Sequence, residues 1–552
     1  MSATGTQPRL PGVIQYKVST IRGGTYDVVV VGAGHHGLTC AAFLAKAGKR
    51  VLVLESRSVV GGMCWTREMD GAPGYQVNPC ALEVLLMGAK PSVIDQLQLE
   101  KYGLDFVYPK ILTTGLFPDG AHVTFFKDRT KTVENLKYFS QRDAVQYGRL
   151  VDGITWALKA AMPYLMGPAS RPSLGALYDI LKVLLRGRKE VARGARILLS
   201  PMKTVLDEYF ESDQVKVALG NYSLANFGLM TDAGSAAYLT ILTGAHEFGV
   251  RRPRGGSGQL TRALAACVVD HGGEIRLNAH VAKIKVTNGR ASGVFLRDGE
   301  EIGATQVVAA TDPVVLATKL LDGDVLPQST HEQIRGLKPT INPINVFKAD
   351  IALSRSPKFT GLGHGDIDRD LVSALSMCQS MDAFHRSERA CARGEYDDDN
   401  IPMTNYIPSI VDRSLVPEGS NGDYLYLYAS NAPQDLSGGR RWETEAEAFL
   451  KKCLRIFDGY APGTSDSVID VYMTPPTEFA PRYNGNNGNY AQVGMGSPSQ
   501  LGPWRPIPDF SGNKTPIDGL WHASSGSHPI PYINGWAGRT VAKEILRVRH
   551  KP

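Results

Sequence analysis

Three glycines and one carboxylate form the most chemically suggestive cluster in this chain. Gly32-Ala33-Gly34-His35-His36-Gly37 sets glycines at the first, third and sixth positions of a short turn, and Glu55 follows 23 residues after Gly32. The spacing is that of a dinucleotide cradle. Gly32 permits a tight turn, Gly34 lets backbone approach a pyrophosphate, and Gly37 allows close packing of helix on strand, while Glu55 accepts hydrogen bonds from ribose hydroxyls. Gly61-Gly62-Met63, just beyond, offers a second stretch of backbone able to pass close to the ligand. A glycine turn with no ligand is the bland alternative, and the flanking elements decide against it. Asp27 to Val31 is a run dominated by β-branched residues, which predicts a buried parallel strand. Leu38, Ala41, Ala42, Leu44 and Ala45 then recur at helical spacing, Gly48 closes the helix, and Val51 to Leu54 supplies the next strand.

Other reactive residue types are dispersed. Seven cysteines lie far apart with no C-x-x-C and no zinc spacing, so the expectation is free thiols in a reducing compartment, no metal, and no disulfide-reductase chemistry. Glu395 to Asn400 is acidic but lacks the alternation of a calcium loop. Gly361 to Gly365 has the wrong spacing for a second dinucleotide site, and Asn484 to Asn489 reads as a loop re-entering the nucleotide domain. The stretch Lys182 to Arg196 carries six basic residues against Glu190, flanked by Leu181, Leu184 and Leu185. A solvated basic helix face is its first reading, and a helix lying on anionic lipid is the other.

Two further blocks must complete the nucleotide domain. Leu260 to Val269 predicts an amphipathic helix and Glu274 to Leu277 a strand. Asn288-Gly289 and Asp298-Gly299 are hairpin turns that make a β-meander, and Gln306 to Ala310 returns as a buried strand. Near the C-terminus, Gly519 to Ala523 is strand-like, and a helix is expected from about Gly535. Composition sets the frame: hydrophobic residues are 43% and charged residues 21% of 552, ordinary globular usage that removes disordered and coiled-coil readings. A net charge of +6 over this length argues against nucleic acid. Met1 to Gly24 has no apolar core of a signal peptide, and the best apolar run, Ile154 to Ala169, is broken by Lys159 and Pro163.

The strings Gly-Ala-Gly-His-His-Gly-Leu, Val-Leu-Glu and Val-Gly-Gly resemble the phytoene-dehydrogenase-like branch of FAD-dependent oxidoreductases, which includes carotenoid desaturases, retinol saturase and the pyridine nucleotide-disulfide oxidoreductase domain 2 proteins. The resemblance implies an α/β fold: a Rossmann-like FAD-binding domain built from discontinuous segments (22–89, 249–339 and 481–552) with a mixed α+β substrate domain (90–248 and 340–480). It implies FAD as cofactor, held by Gly32, Gly34, His36, Gly37, Glu55, Ser56, Gly61, Gly62, Met63, Val281, Ser525, Asn534, Gly535 and Trp536. The family commonly has Asn where this chain has His36. After the His-Pro pair it usually has three glycines and a valine, where this chain has Ile530-Pro531-Tyr532-Ile533, leaving less room for a polyene.

The resulting expectation is a dehydrogenase or desaturase moving a hydride from a hydrophobic, isoprenoid-like small molecule to flavin N5. His528 and Tyr532 are the candidate catalytic residues. For both, a purely structural role is the competing reading. Oxygen, a quinone or another carrier would take the electrons. The location expected is the cytoplasm, with a membrane surface as a second contact. A flavin amine oxidase, a redox-neutral flavin-dependent isomerase and a non-catalytic flavin scaffold are the competing functions.

Overall fold

The computed structural model describes residues 25–84, 92–168, 171–224, 229–337, 344–360, 369–485, 502–530 and 532–547. Met1 to Gly24, Gly361 to Gly365, Asn486 to Asn489 and Pro531 lie outside them.

The chain moves between two sheets. It opens with β1 (Tyr26–Val31), α1 (His35–Lys46) and β2 (Val51–Leu54), then leaves for the hairpin β3 (Ile111–Leu116) and β4 (His122–Phe126). A helical layer follows, including α2 (Gln141–Leu165), α3 (Leu174–Leu199), α4 (Asp213–Leu224) and α5 (Leu239–Phe248). Then α6 (Gly258–Asp270), β5 (Glu274–Arg276), β6 (Val281–Thr287), β7 (Arg290–Leu296) and β8 (Glu301–Ala309) return to the first sheet. The second excursion contributes β9 (Ile344–Leu353), β10 (Ala374–Met377), β11 (Met403–Tyr406), β12 (Asp423–Pro433), α7 (Trp442–Asp458) and β13 (Val468–Thr474). Last come β14 (Leu520–His522) and α8 (Trp536–Arg547), back at the first sheet.

The first sheet has the order β6-β7-β8-β1-β2-β5, with β14 also pairing β8. Its centre is parallel and covered on both faces. Val28 and Val30 pack with α1, α6 and α8, whereas Val29, Val31, Leu52 and Leu54 pack with the meander and the segment from Val315 to Leu337. Alternation along one strand thus feeds two separate cores, which is why β1 is apolar at nearly every position. The meander forms at the expected turns, Asn288 and Gly289 both holding positive φ. The strand after it differs from expectation. Gln306 does not start a new strand, because β8 is continuous: Glu301 to Gly303 pair antiparallel with β7, and Ala304 to Ala309 pair parallel with β1. One strand serves both because its residues stay buried on alternating sides without a break for a turn.

The second sheet has the order β13-β9-β12-β11-β10-β3-β4. Its long central strand β12 is two-faced: Leu425, Leu427 and Ala429 pack on α7 through Trp442, Phe449 and Phe457, while Tyr424, Tyr426 and Tyr428 point the other way. That tyrosine face looks toward the nucleotide domain. No described helix is long and apolar enough to cross a membrane.

Candidate functional site

A cavity of about 620 Å³ runs between the two sheets, from Glu55 and Val281 at one end to Tyr222, Tyr406 and Tyr426 at the other. Its first end is lined largely by backbone. Helix α1 begins at Gly34, whose extended φ of −73° and ψ of 170° leave the first N–H groups without a side-chain cap. Uncapped N–H groups and the positive end of the helix dipole favour a bound anion. A Cβ added at Gly34 would meet no protein atom within 4 Å, so the space beside it belongs to the cavity. At Gly37 a Cβ would fall 2.2 Å from the Gly32 carbonyl oxygen, so this glycine is fixed by packing. The Gly61-Gly62 loop folds back onto the same turn: Gly61 N–H donates to the Ala33 carbonyl at 2.9 Å, and a Cβ on Gly62 would come within 3.3 Å of Gly34 Cα. Arg57 holds this loop, donating to the Gly62 carbonyl at 3.1 Å while its guanidinium stacks 4.4 Å above Trp65.

Glu55 ends β2 with its carboxylate on the cavity wall, accepting from Ala33 N–H and Arg57 N–H, each at 2.9 Å. Oε1 also accepts from the Ser56 hydroxyl at 3.2 Å, so Oε2, with Ala33 N–H alone, keeps a lone pair for a ligand hydroxyl. His35 and His36 also line the cavity, their rings 4.0 Å apart. Burial lowers His35 to about 4 and pushes His36 well below the ordinary imidazole value, so both are neutral at pH 7. Neither nitrogen of His36 has a hydrogen-bond partner among the described residues, so a cavity ligand is the natural source of one.

The other end is made of side chains. Antiparallel pairing of β11 with β12 sets Tyr406 opposite Tyr426, with Thr404 and Tyr428 on the same face. Tyr222 from α4, Ile241 from α5 and Leu82 close the sides. Glu83 enters from below, its Oε1 accepting from Arg252 Nε at 3.0 Å and Nη2 at 2.7 Å. Thr404 is buried on this wall, and its hydroxyl has no partner among the described residues. Behind the wall, Lys348 and Asp350 form a fully buried ion pair, with the Lys348 ammonium 3.8 Å above the Tyr426 ring.

Comparison with known proteins resolves what this architecture is. Residues 179–376 match the model of flavin containing amine oxidoreductases, and residues 30–91 match that of NAD(P)-binding Rossmann-like domains. The pyridine nucleotide-disulfide oxidoreductase domain-containing protein 2 of Rattus norvegicus is 28% identical over 95% of this chain and 93% of its own length. Hydroxyneurosporene desaturase of Cereibacter sphaeroides is 30% identical, covering 94% of this chain and 97% of its own. The chain belongs to the phytoene-dehydrogenase-like FAD-dependent oxidoreductases. An oxidoreductase from Methanosarcina mazei shares the fold with a TM-score of 0.61 at 17% identity, over 94% of this chain and 99% of its own.

FAD fits this cavity by the uncapped α1 terminus, the open space at Gly34 and the unpartnered His36 ring. Of the residues the family pattern nominates, Gly32, Gly34, His36, Gly37, Glu55, Ser56, Gly62, Met63, Val281 and Ser525 line the cavity. Ser56 is also tied by Asn484 at 3.0 Å, the point where the asparagine-rich loop meets the cradle. Gly61, Asn534, Gly535 and Trp536 are set behind the wall. Asn534 Oδ1 accepts from Trp536 N–H at 2.8 Å and caps α8, so its contribution is to the helix terminus.

His528 requires correction. It is buried outside the cavity lining, Nε2 is 2.9 Å from the Gly167 carbonyl, and its ring meets Tyr164 edge-on. Burial lowers it to about 4. Its ring is oriented by α2 and the segment that follows, so it anchors its turn and does not face a substrate. Tyr532 does line the cavity, but burial pushes its phenol up, and a neutral phenol is no base. It stands at φ +75°, a left-handed conformation that favours glycine. Tyr532 is therefore a wall of the site. Sequence reasoning did not find Glu83, Arg252, Thr404 or the tyrosine floor. It also missed Arg505, fully buried, which donates to the carbonyls of Ser525 at 2.7 Å and Ser527 at 3.2 Å and so shapes the loop beside the cavity. Only the alternation Tyr424-x-Tyr426-x-Tyr428 carried a readable signal.

All seven cysteines are buried. Burial raises Cys40, Cys64, Cys391 and Cys453 and lifts Cys378 to about 12, so these thiols stay protonated at neutral pH and are poor nucleophiles. Among the described residues no cluster could hold a metal ion.

Proposed function

We propose that the protein is a dehydrogenase or desaturase acting on a hydrophobic small molecule. The observation that carries this is the far end of the cavity. Tyr222, Ile241, Tyr406, Tyr426 and Tyr428 present mostly ring and aliphatic surface, and the carboxylate among them, Glu83, is already neutralised by Arg252. An apolar substrate loses little on entering such a space, whereas a cationic one meets no unpaired carboxylate. The names of the relatives agree: hydroxyneurosporene desaturase and phytoene desaturase each match over nearly the whole chain.

FAD, when bound, supplies the hydride acceptor. The roles fall to the chain as follows. The α1 terminus at Gly34 holds the pyrophosphate, Glu55 the ribose hydroxyls, the backbone at Val281 the adenine, and the Gly62-Met63 and Ser525 segments the flavin side. The tyrosine floor and Tyr532 fix the substrate plane. Thr404 and the second oxygen of Glu83 accept or donate to one polar group on an otherwise apolar molecule. The proton lost from the carbon adjacent to the oxidised one leaves to water or to a group on the substrate, since neither His528 nor Tyr532 can take it. Oxygen, a quinone or another carrier would take the electrons.

Anaerobic titration tests the reading. Isoprenoid and terpenoid alcohols or polyenes should bleach the flavin visible band, with product two hydrogens lighter than substrate. Bleaching by primary amines alone, with peroxide formed in air, would replace it with the amine oxidase reading. A product of unchanged mass formed only after flavin reduction would replace it with the isomerase.

A further inference from the structure

Helix α3 presents a face that none of the described residues covers. Ser173 caps its start, accepting from Ala176 N–H at 3.1 Å. One side packs on α2 through small residues: a Cβ on Gly187 would meet the Trp156 ring at 2.6 Å, and one on Gly194 would meet the Gly153 carbonyl oxygen at 2.0 Å. The other side is apolar and exposed. Leu174, Tyr178, Leu181 and Leu185 fall at i, i+4, i+7 and i+11, one stripe at 3.6 residues per turn, with Leu177 and Leu184 along its edge. Leu174 is 85% exposed and Leu185 78%. Seven of the fourteen large hydrophobic residues exposed among the described residues lie on this one helix, so the patch is concentrated, not scattered.

Charge specifies what could cover it. Lys182 and Arg186, and Arg188 and Lys189 just past a break in the helix at Gly187 (φ −143°, ψ 38°), are exposed next to the stripe and form no ion pair among the described residues. Arg193 and Arg196, further along, are engaged by Glu190 at 2.6 Å and Glu208 at 2.7 Å. A second copy of this face would oppose four unpaired cations with four more, with Asp179 the nearest carboxylate to relieve them. An anionic surface has no such conflict. The helix is too polar to span a bilayer, yet its leucine stripe suits the acyl boundary, and its long basic side chains can reach outward to phosphates.

We propose that α3 docks this enzyme on the surface of a bilayer rich in anionic phospholipid, with the leucine stripe inserted and Lys182, Arg186, Arg188 and Lys189 on the headgroups. The inference is independent of the substrate reading, since it rests on a different face of the molecule.

The test uses the full-length flavin-loaded protein and sedimentation with vesicles of phosphatidylcholine, alone or mixed with phosphatidylglycerol. Binding is expected to the mixed vesicles and to weaken in high salt. Glutamine at all four cationic positions should weaken it by roughly fivefold per charge removed, and L181D/L185D should abolish it, with flavin absorbance and thermal midpoint unchanged in both. Equal binding to neutral vesicles, or none to either, would overturn the proposal. A wild-type dimer by light scattering that L181D/L185D converts to monomer would assign the face to a second copy instead, and that too would overturn it.

Discussion

The two ends of the cavity are built from different materials. At the nucleotide end the wall is mostly backbone: a glycine turn, an uncapped helix terminus and the returning Gly61-Gly62 loop. At the far end it is side chain: four tyrosines, Thr404, Glu83 and Leu82, drawn from β11, β12, α4 and the segment between β2 and β3. A backbone wall recognises a group common to every dinucleotide, and it fails when any atom is added. A side-chain wall can be re-cut one residue at a time without moving the sheet beneath it. One fold can thus keep a cofactor while changing its substrate.

The largest effect expected from this contrast is at Gly34. Its φ suits any residue and its Cβ would meet only open cavity, so Gly34→Val should fold normally yet lose essentially all bound flavin, read as absorbance per mole of protein. A fully yellow variant would refute the anion site. Acid comes next and should strike the nucleotide side first. The unfolded chain protonates its histidines below about pH 6.5, while His35, His522 and His528 stay neutral in the fold until about 4. The unfolded state therefore binds more protons across that window. Stability should fall as pH drops from 6.5 to 4, by roughly 1–3 kcal/mol per ring, and level off below. Thermal midpoints across pH, with flavin release monitored alongside, provide the check.

At the far end, Glu83→Ala strands Arg252, which is 3% exposed. A cost of about 3–5 kcal/mol is expected in chemical denaturation, and a loss under 1 kcal/mol would mean that water reaches the pair. Tyr426→Phe removes the hydroxyl that donates to the Cys80 carbonyl at 2.5 Å. It should cost about 1 kcal/mol and leave flavin content untouched, which separates floor from cradle. The smallest stability change belongs to Tyr532→Gly, because relief of the left-handed backbone offsets lost ring packing. Its signature is an enlarged substrate range in flavin-bleaching assays. An unchanged range would mean that the ring does not limit the site.

The same contrast explains what could be read in advance. The cradle lies within Tyr26 to Met63, so strand, turn, helix and acidic residue are fixed by local periodicity and glycine spacing. The meander announced itself through Asn-Gly and Asp-Gly turns. By contrast, Glu83, Tyr222 and Tyr406 meet only after the second sheet has formed, and no local pattern foretells which way their side chains converge. For His528 the structural reading is the one the fold favours, for that reason: its place near the presumed flavin ring suggested the site, but the carbonyl of Gly167 on another segment holds its ring outside the cavity lining. The continuity of β8 was hidden because a strand can change partners without changing its alternation.

Strand β14 pairs with β8, and a Cβ on Gly538 of α8 would fall 2.1 Å from the His36 carbonyl oxygen, so α8 lies directly on the start of α1. The cradle is synthesised early, but the parts that brace it emerge from the ribosome almost at the end. At ~5–20 residues per second, the stretch from Leu54 to Leu520 takes on the order of half a minute to a minute and a half. During that interval the nascent chain displays the cradle without β14 beside β8 and without α8 on the start of α1. A chain cut short upstream of β14 is accordingly expected to lack bound flavin, which the visible absorbance of the truncated product checks.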